Sequence, residues 1–137
     1  MSETELIPTK GKPGWCAGVV RVDGKLMYSF PVASGHIDRS FSFEITNDHL
    51  QILQEDEERF YFLFAVMHET HQLPPYPTEK MREEIFDTIL FANKATVSKF
   101  LTHQDARHLA HGGVSNIVRL TLGWEGNLPQ PDNWFKS

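Results

Sequence analysis

An unbroken apolar run between residues 60 and 67 constrains the fold of this chain more than any other feature. The run reads Phe-Tyr-Phe-Leu-Phe-Ala-Val-Met and follows the acidic residues 55–58 and Arg59. Because it leaves no polar stripe, a helix here must be buried on most faces, and a buried strand is the alternative. We expect the helix, which continues to His71 and begins beside carboxylates that favour a helix N-terminus.

The residues before this run predict a strand and a short helix. Residues 41–45 alternate apolar and polar side chains with a period of two, which is typical of a strand with one buried face. Thr46 or Asn47 can then cap a helix, because a short side-chain oxygen accepts from the free amides of the first turn. Leu50 and Leu53 form the apolar stripe of that helix.

A β-hairpin is predicted near the start of the chain. Its strands are residues 15–22 and 25–32, and Asp23-Gly24 between them readily adopts the positive φ angles of a type I′ turn. Residues 33–40 form a loop that leads to the strand described above. The three strands together make an antiparallel meander.

Two further helical segments are expected in the second half. The prolines of residues 73–77 end the buried helix, and Thr78 can cap the next one. That helix extends to Leu101, with a break near Asn93. Its inner side is expected to carry Met81, Ile85, Ile89 and Leu90.

The fold class that follows is α+β, with an N-terminal antiparallel β-hairpin or meander packed against several α-helices. Residues 15–137 form a single globular domain, and residues 1–14, rich in proline and glycine, form a flexible N-terminal arm. Side chains alternate over residues 117–122, which predicts a last strand. Residues 123–137 are expected to form an irregular tail that carries Trp124 and Trp134. The core is expected to include Phe62, Leu63, Val66, Ile85 and Ile89.

Composition excludes several classes of partner. The chain has 137 residues, 40% of them hydrophobic, which suits one domain with a real core. Its net charge of -5 argues against a nucleic-acid partner. No apolar run reaches the roughly 18 to 20 residues of a membrane span or resembles a signal peptide, so we expect no membrane association and a cytoplasmic location.

The histidines do not form a recognised metal motif. His68 and His71 are three residues apart, whereas the metalloprotease helix needs two histidines four apart with a glutamate directly after the first. A role at the helix end, where the dipole favours histidine, is the preferred interpretation. His108 and His111, just before Gly112-Gly113, fit a solvated helix end in the same way.

No other pattern predicts catalysis. The single cysteine, Cys16, lies in a predicted strand without the cationic setting that would activate a thiol. Glu83 and Glu84 are adjacent in a helix and diverge by about 100°, so they cannot converge on one bond. We therefore expect no enzymatic activity, no catalytic residue, no cofactor and no bound metal.

Charge is distributed unevenly along the chain. Residues 42–87 contain eleven acidic and three basic residues, a net charge of -8, and the remainder carries +3. Solvated helix faces account for many such patterns. The alternative is an acidic surface that attracts a basic protein. A nucleic-acid-degrading toxin is such a protein, because it must be basic where it holds phosphates.

One stretch resembles a known class of proteins. Phe43, Ile45, Leu50, Leu53, Asp56, Arg59 and Leu63, followed by an apolar helix and a proline-containing break, are similar in type and spacing to small bacterial immunity proteins of contact-dependent growth inhibition and other polymorphic toxin systems. The resemblance implies a cytoplasmic α+β protein that binds the C-terminal toxin domain of its neighbour and blocks its active site.

The charge pattern alone supplies the expected partner-binding surface, because no functional residue carries over from the resemblance. The residues of this acidic surface are Glu55, Asp56, Glu57 and Glu58, extended by Glu83, Glu84 and Asp87. The alternative function is a small metal- or ligand-binding protein that uses the histidine clusters.

Overall fold

A four-stranded antiparallel sheet begins the fold. The computed structural model describes residues 3–7, 17–34, 37–71 and 76–106. The strands are β1 (Glu3–Ile7), β2 (Gly18–Val22), β3 (Lys25–Ser34) and β4 (Ile37–Ile45), paired in the order β1-β2-β3-β4. Four helices follow in these ranges, so the predicted α+β class is confirmed.

The predicted hairpin is confirmed at its turn. Asp23 and Gly24 have φ angles of 51° and 83°, the positive values that a type I′ turn requires at both central positions. Val22 and Lys25 pair directly across this turn.

Two predictions about the N-terminal half are wrong. The sequence predicts a loop at residues 33–40, but β3 continues to Ser34 and β4 begins at Ile37. Within the predicted flexible arm, Glu3–Ile7 is strand β1 and pairs with β2. A short edge strand is held by backbone hydrogen bonds, which any residue type can make, so its sequence is not distinctive. The nearby prolines and glycines then favour the prediction of an irregular arm.

The helices begin at side-chain caps. They are α1 (Asn47–Glu55), α2 (Glu57–Thr70), α3 (Glu79–Phe91) and α4 (Lys94–Ala106). Thr46, Asp56 and Thr78 accept hydrogen bonds from backbone amides of α1, α2 and α3 respectively. The predicted break lies at Ala92 and Asn93, and α4 runs beyond the predicted end at Leu101.

Helix α2 is the centre of the core. Residues 62–69 are all buried, because α2 contacts strand β3 and also helices α1, α3 and α4. The helical interpretation of the apolar run is therefore confirmed. All five predicted core residues are buried, namely Phe62, Leu63, Val66, Ile85 and Ile89.

The helices cover one face of the sheet. Along β3 the buried side chains alternate as Leu26, Tyr28, Phe30 and Val32. Ile45, Phe43 and Phe41 of β4 pair with the first three of these and share their face. No helix in the described ranges is long and apolar enough to cross a membrane.

One residue expected on the inner side of α3 lies outside it. Met81 is 50% exposed, while Ile85, Ile89 and Leu90 are buried as predicted. Met81 is eight residues before Ile89, which at about 100° per residue turns it about 80° away from that buried side chain. The predicted strand 117–122, the tail 123–137 and Cys16 lie outside the described residues.

Candidate functional site

A groove runs between strand β4, the start of α1 and the first half of α3. Its cavity has a volume of about 260 Å³. β4 lies at an edge of the sheet formed by the described strands, so no further described strand covers it there. The lining residues are Ser42, Phe43, Glu44, Ile45, His49, Glu79, Arg82, Glu83 and Phe86.

One face of α3 forms a wall of this groove. Glu79, Arg82, Glu83 and Phe86 are spaced i, i+3, i+4 and i+7, which places them along a single helical stripe. Thr78 fixes where the stripe begins, because its hydroxyl accepts from the Met81 amide at 3.2 Å. The cap therefore helps determine which side chains reach the groove.

Two carboxylates on the groove stripe of α3 take part in no ion pair with another described residue. Among the described residues, an ion pair joins Arg59 to Asp56 and a hydrogen bond joins His49 to Asp87. Glu79 and Glu83 take part in neither, and both are exposed, whereas Glu44 alternates with Phe43 and Ile45 and so lies on the opposite face of β4. The groove is consequently negative, and among its described lining residues Arg82 is the one cation of fixed charge.

Arg82 is held against the aromatic floor. Its guanidinium carbon lies 4.0 Å from the centroid of the Phe43 ring, a cation-π contact. Its Nη1 also donates a long hydrogen bond of 3.5 Å to the Pro77 carbonyl. These contacts direct its charge to Phe43 and to the backbone.

His49 is committed to structural hydrogen bonds. Its Nδ1 accepts from the Thr46 amide at 3.2 Å, so in the neutral ring Nε2 carries the proton and donates to Asp87 Oδ1 at 3.2 Å. No lone pair is then left for proton abstraction or metal binding. The sequence signal was a capping box, Thr46 with a residue three positions later, in which histidine replaces the usual glutamate or glutamine.

The predicted contact residues differ in their solvent exposure and in their contacts within the protein. Glu55, Glu83, Glu84 and Asp87 are exposed, and of these Glu83 lines the groove. Glu58 is half-buried, and the side chain of Glu57 lies outside the described part of the chain. Asp56 is engaged internally, since its carboxylate accepts from the Arg59 amide and from Arg59 Nε, both at 3.1 Å.

The start of α2 lies beside the last turns of α3. Arg59 Nη1 donates to the Ile89 carbonyl at 2.9 Å, which places the start of α2 beside the last turns of α3. Glu83 is six residues earlier, or about 9 Å along the helix axis. Asp87, of the same predicted group, is only two residues before Ile89 and therefore lies nearer the start of α2.

His71 has the helix-end role that its position predicts. It is the C-cap residue of α2, and its Nδ1 donates to the Met67 carbonyl at 2.8 Å. The ring is 1% exposed and packs against aromatic side chains of β3, of β4 and of the segment before α3. These neighbours are Phe30, Phe41, Phe43 and Tyr76.

Burial lowers the pKa of His71 below its ordinary value near 6.5, with a smaller contribution from the Arg82 charge and an opposing one from the Met67 hydrogen bond. Above pH 6.5 the ring is neutral in both folded and unfolded chains. Below pH 6.5 the imidazole of His71 binds a proton in the unfolded chain but stays neutral in the folded chain until the pH reaches its lowered pKa. Stability should therefore decrease as the pH falls below 6.5, by up to about 1.4 kcal/mol per pH unit for one proton.

Denaturant unfolding between pH 7.5 and 5 measures this loss. The variant His71→Phe should show a shallower decline than the wild type, whatever its stability at pH 7.5. The exposed His103→Gln leaves His71 in place and should retain the wild-type slope. Equal slopes for His71→Phe and the wild type would show that this ring is not the group responsible.

Metal binding by the histidines finds no geometric support in the described ranges. No three His, Cys, Asp or Glu side chains there are placed to hold one metal ion. His68 and His71 are both buried in the core around α2, and His108 and His111 lie outside the described residues.

Comparison of the chain with protein-family models, curated proteins and solved structures finds no match.

Proposed function

We propose that this protein is an immunity protein, a binding module that neutralises a cognate toxin domain through its acidic surface. The partner is the C-terminal domain of a toxin, a nuclease whose surface is basic because it holds phosphates. Binding occurs in the cytoplasm and requires no cofactor or catalysis by this chain. The observation that carries the proposal is the groove beside β4, where the exposed Glu79 and Glu83 of α3 line the same space as Phe43 and Phe86.

The surface around the groove has the composition of protein interfaces. Aromatic residues, methionine and arginine are enriched at such surfaces, and tight contacts often centre on aromatic or arginine side chains. Phe43 and Arg82 line the groove and contact each other there. Negative charge beside these residues favours fast association with a basic partner.

The alternative of a small-molecule site has less support. Ligand pockets usually measure about 300 to 1,000 Å³ and bury most of the ligand, whereas this groove is about 260 Å³. Its one histidine, His49, uses both ring nitrogens within the protein. An inserted side chain of a partner protein needs neither a larger cavity nor a reactive group.

Protection of cells tests the proposal. The chain is co-expressed with the C-terminal domain encoded by the gene immediately upstream, and the wild type should restore growth. Charge reversal at Glu79 and Glu83 should reduce this protection at equal protein level, because it turns the attractive groove repulsive. Lys94→Glu, an exposed residue on α4, is the control that should protect fully.

A second pair of reversals separates the two acidic segments. Glu55→Lys with Glu58→Lys changes the α1–α2 junction and leaves the groove intact. If neither double variant loses protection, the acidic surface is not the binding site. If the wild type fails to protect against the upstream domain and fails to bind it, the immunity function is refuted.

A further inference from the structure

We infer that the outer edge of β4 binds an extended basic segment of the toxin domain, which adds to the sheet as a further strand in the groove beside α3. The inference rests on the proposed function and names the contact by which it operates. Backbone groups of β4 make that contact, and the side chains around them select the segment.

The groove runs along the edge of β4 itself. Its lining includes four consecutive residues of that strand, 42–45, whose side chains alternate between the two faces of the sheet. A space that touches successive residues of both faces lies beside the backbone rather than over one face. α3 forms the opposite wall, and within the described sheet β4 pairs with β3 on its other side.

The register of the sheet identifies which residues of β4 bond to β3. The two-residue turn makes Val22 and Lys25 a hydrogen-bonded pair, and such pairs alternate along an antiparallel ladder. Every second residue of β3, beginning at Lys25, therefore bonds to β2, and the residues between them bond to β4. Their partners on β4 are Phe41, Phe43 and Ile45.

Ser42 and Glu44 consequently direct their amide and carbonyl groups away from β3 and toward the groove. The hydroxyls of Ser29 and Ser42 lie 2.8 Å apart, which agrees with the closer approach of a pair that exchanges no backbone hydrogen bonds. Pro31, which has no amide hydrogen, also falls at a position of β3 that does not bond to β4. Edge groups of this kind, which no other described strand meets, are what an added strand bonds.

The charges beside the edge favour a basic segment. Residues of an added strand alternate between the two faces, so those on the helix side pass Glu79 and Glu83, and those on the other side pass Glu44. All three of these side chains are exposed. A second copy of this chain would bring its own Glu79 and Glu83 to the same seam, where like charges repel.

A proline at position 42 tests the backbone contact. Ser42→Pro removes an outward amide hydrogen but no hydrogen bond to β3, so an edge strand tolerates it. Ser42→Ala is the matched control, because it also removes the hydroxyl beside Ser29 but keeps the amide. Binding to the immobilised upstream toxin domain should weaken at least about tenfold for Ser42→Pro and no more than about twofold for Ser42→Ala.

Amide hydrogen exchange tests the same contact without any substitution. In the free chain the amides of Ser42 and Glu44 should exchange quickly and those of Phe41 and Phe43 slowly, because only the latter pair bonds to β3. In the complex with the toxin domain, exchange at Ser42 and Glu44 should slow by about tenfold or more. This measurement decides the question if Ser42→Pro fails to fold.

The outcomes separate this inference from the proposed function. If the domain binds while the Ser42 and Glu44 amides exchange as fast as in the free chain, the immunity function stands and strand addition is refuted. Equal binding by folded Ser42→Pro and Ser42→Ala refutes it as well. Protection of these amides already in the free chain, by its own residues or by a second copy in a dimer, would overturn the inference. If the domain does not bind the wild-type chain, both fail together.

Discussion

Leu63→Ala should lower the free energy of unfolding by about 2 to 5 kcal/mol, the range for emptying a buried leucine site. Leu63 is fully buried in α2, the helix that contacts the sheet and the three other helices. Its neighbours belong to several elements, so they cannot all move to fill the space that a leucine leaves. Equilibrium denaturation in urea measures the loss.

The matched control is Met81→Ala on α3. Met81 is 50% exposed, and we expect its removal to change stability by no more than about 0.5 kcal/mol, as for other surface positions. A comparable small change for Leu63→Ala would contradict the central position of α2. It would also remove the basis for placing the groove, because α3 is positioned by packing on α2.

Asp56→Ala should destabilise the protein by about 2 to 3 kcal/mol, although its sequence context suggests a partner contact. The substitution removes the N-cap of α2, which by itself contributes about 1 kcal/mol. It also removes the carboxylate beside Arg59, whose side chain is 12% exposed. The second contribution is reduced by solvent, since Asp56 is itself 34% exposed.

Asp56→Asn separates the two contributions. Asparagine keeps a capping oxygen but loses the charge, so it should cost less than alanine. Glu55→Ala, an exposed neighbour without the cap, should change stability by about 0.5 kcal/mol or less. If Asp56→Ala proves as mild as Glu55→Ala, the carboxylate is free to serve the partner after all.

Local chemistry makes most elements of this fold predictable. Asp23-Gly24 identifies the hairpin, Thr46 and Thr78 identify helix starts, and the apolar run identifies the buried helix. Each signal depends on residues within a few positions of one another. Met81 is misplaced because the predicted inner side of α3 spans a wider arc than the buried one, and Met81 lies about 80° around that helix from Ile89.

The groove is not predictable in the same way. Its lining comes from β4, α1 and α3, which are far apart in the sequence, and only their packing brings Phe43 beside Arg82. Charge counting places Glu83 in a candidate surface but groups it with residues 55–58. The hydrogen bond from Arg59 to Ile89 places that segment beside the last turns of α3, nearer to Asp87 than to Glu83.

The single residue between α1 and α2 has a consequence for how such chains can vary in length. Asp56 donates its amide to the Ile52 carbonyl of α1, and its own carbonyl accepts from the Phe60 amide of α2, so one helix ends where the next begins. Inserting one residue on either side would rotate a helix by about 100° and turn buried faces to water. Homologous chains should therefore conserve the length of this corner strictly, and insertions and deletions should accumulate elsewhere.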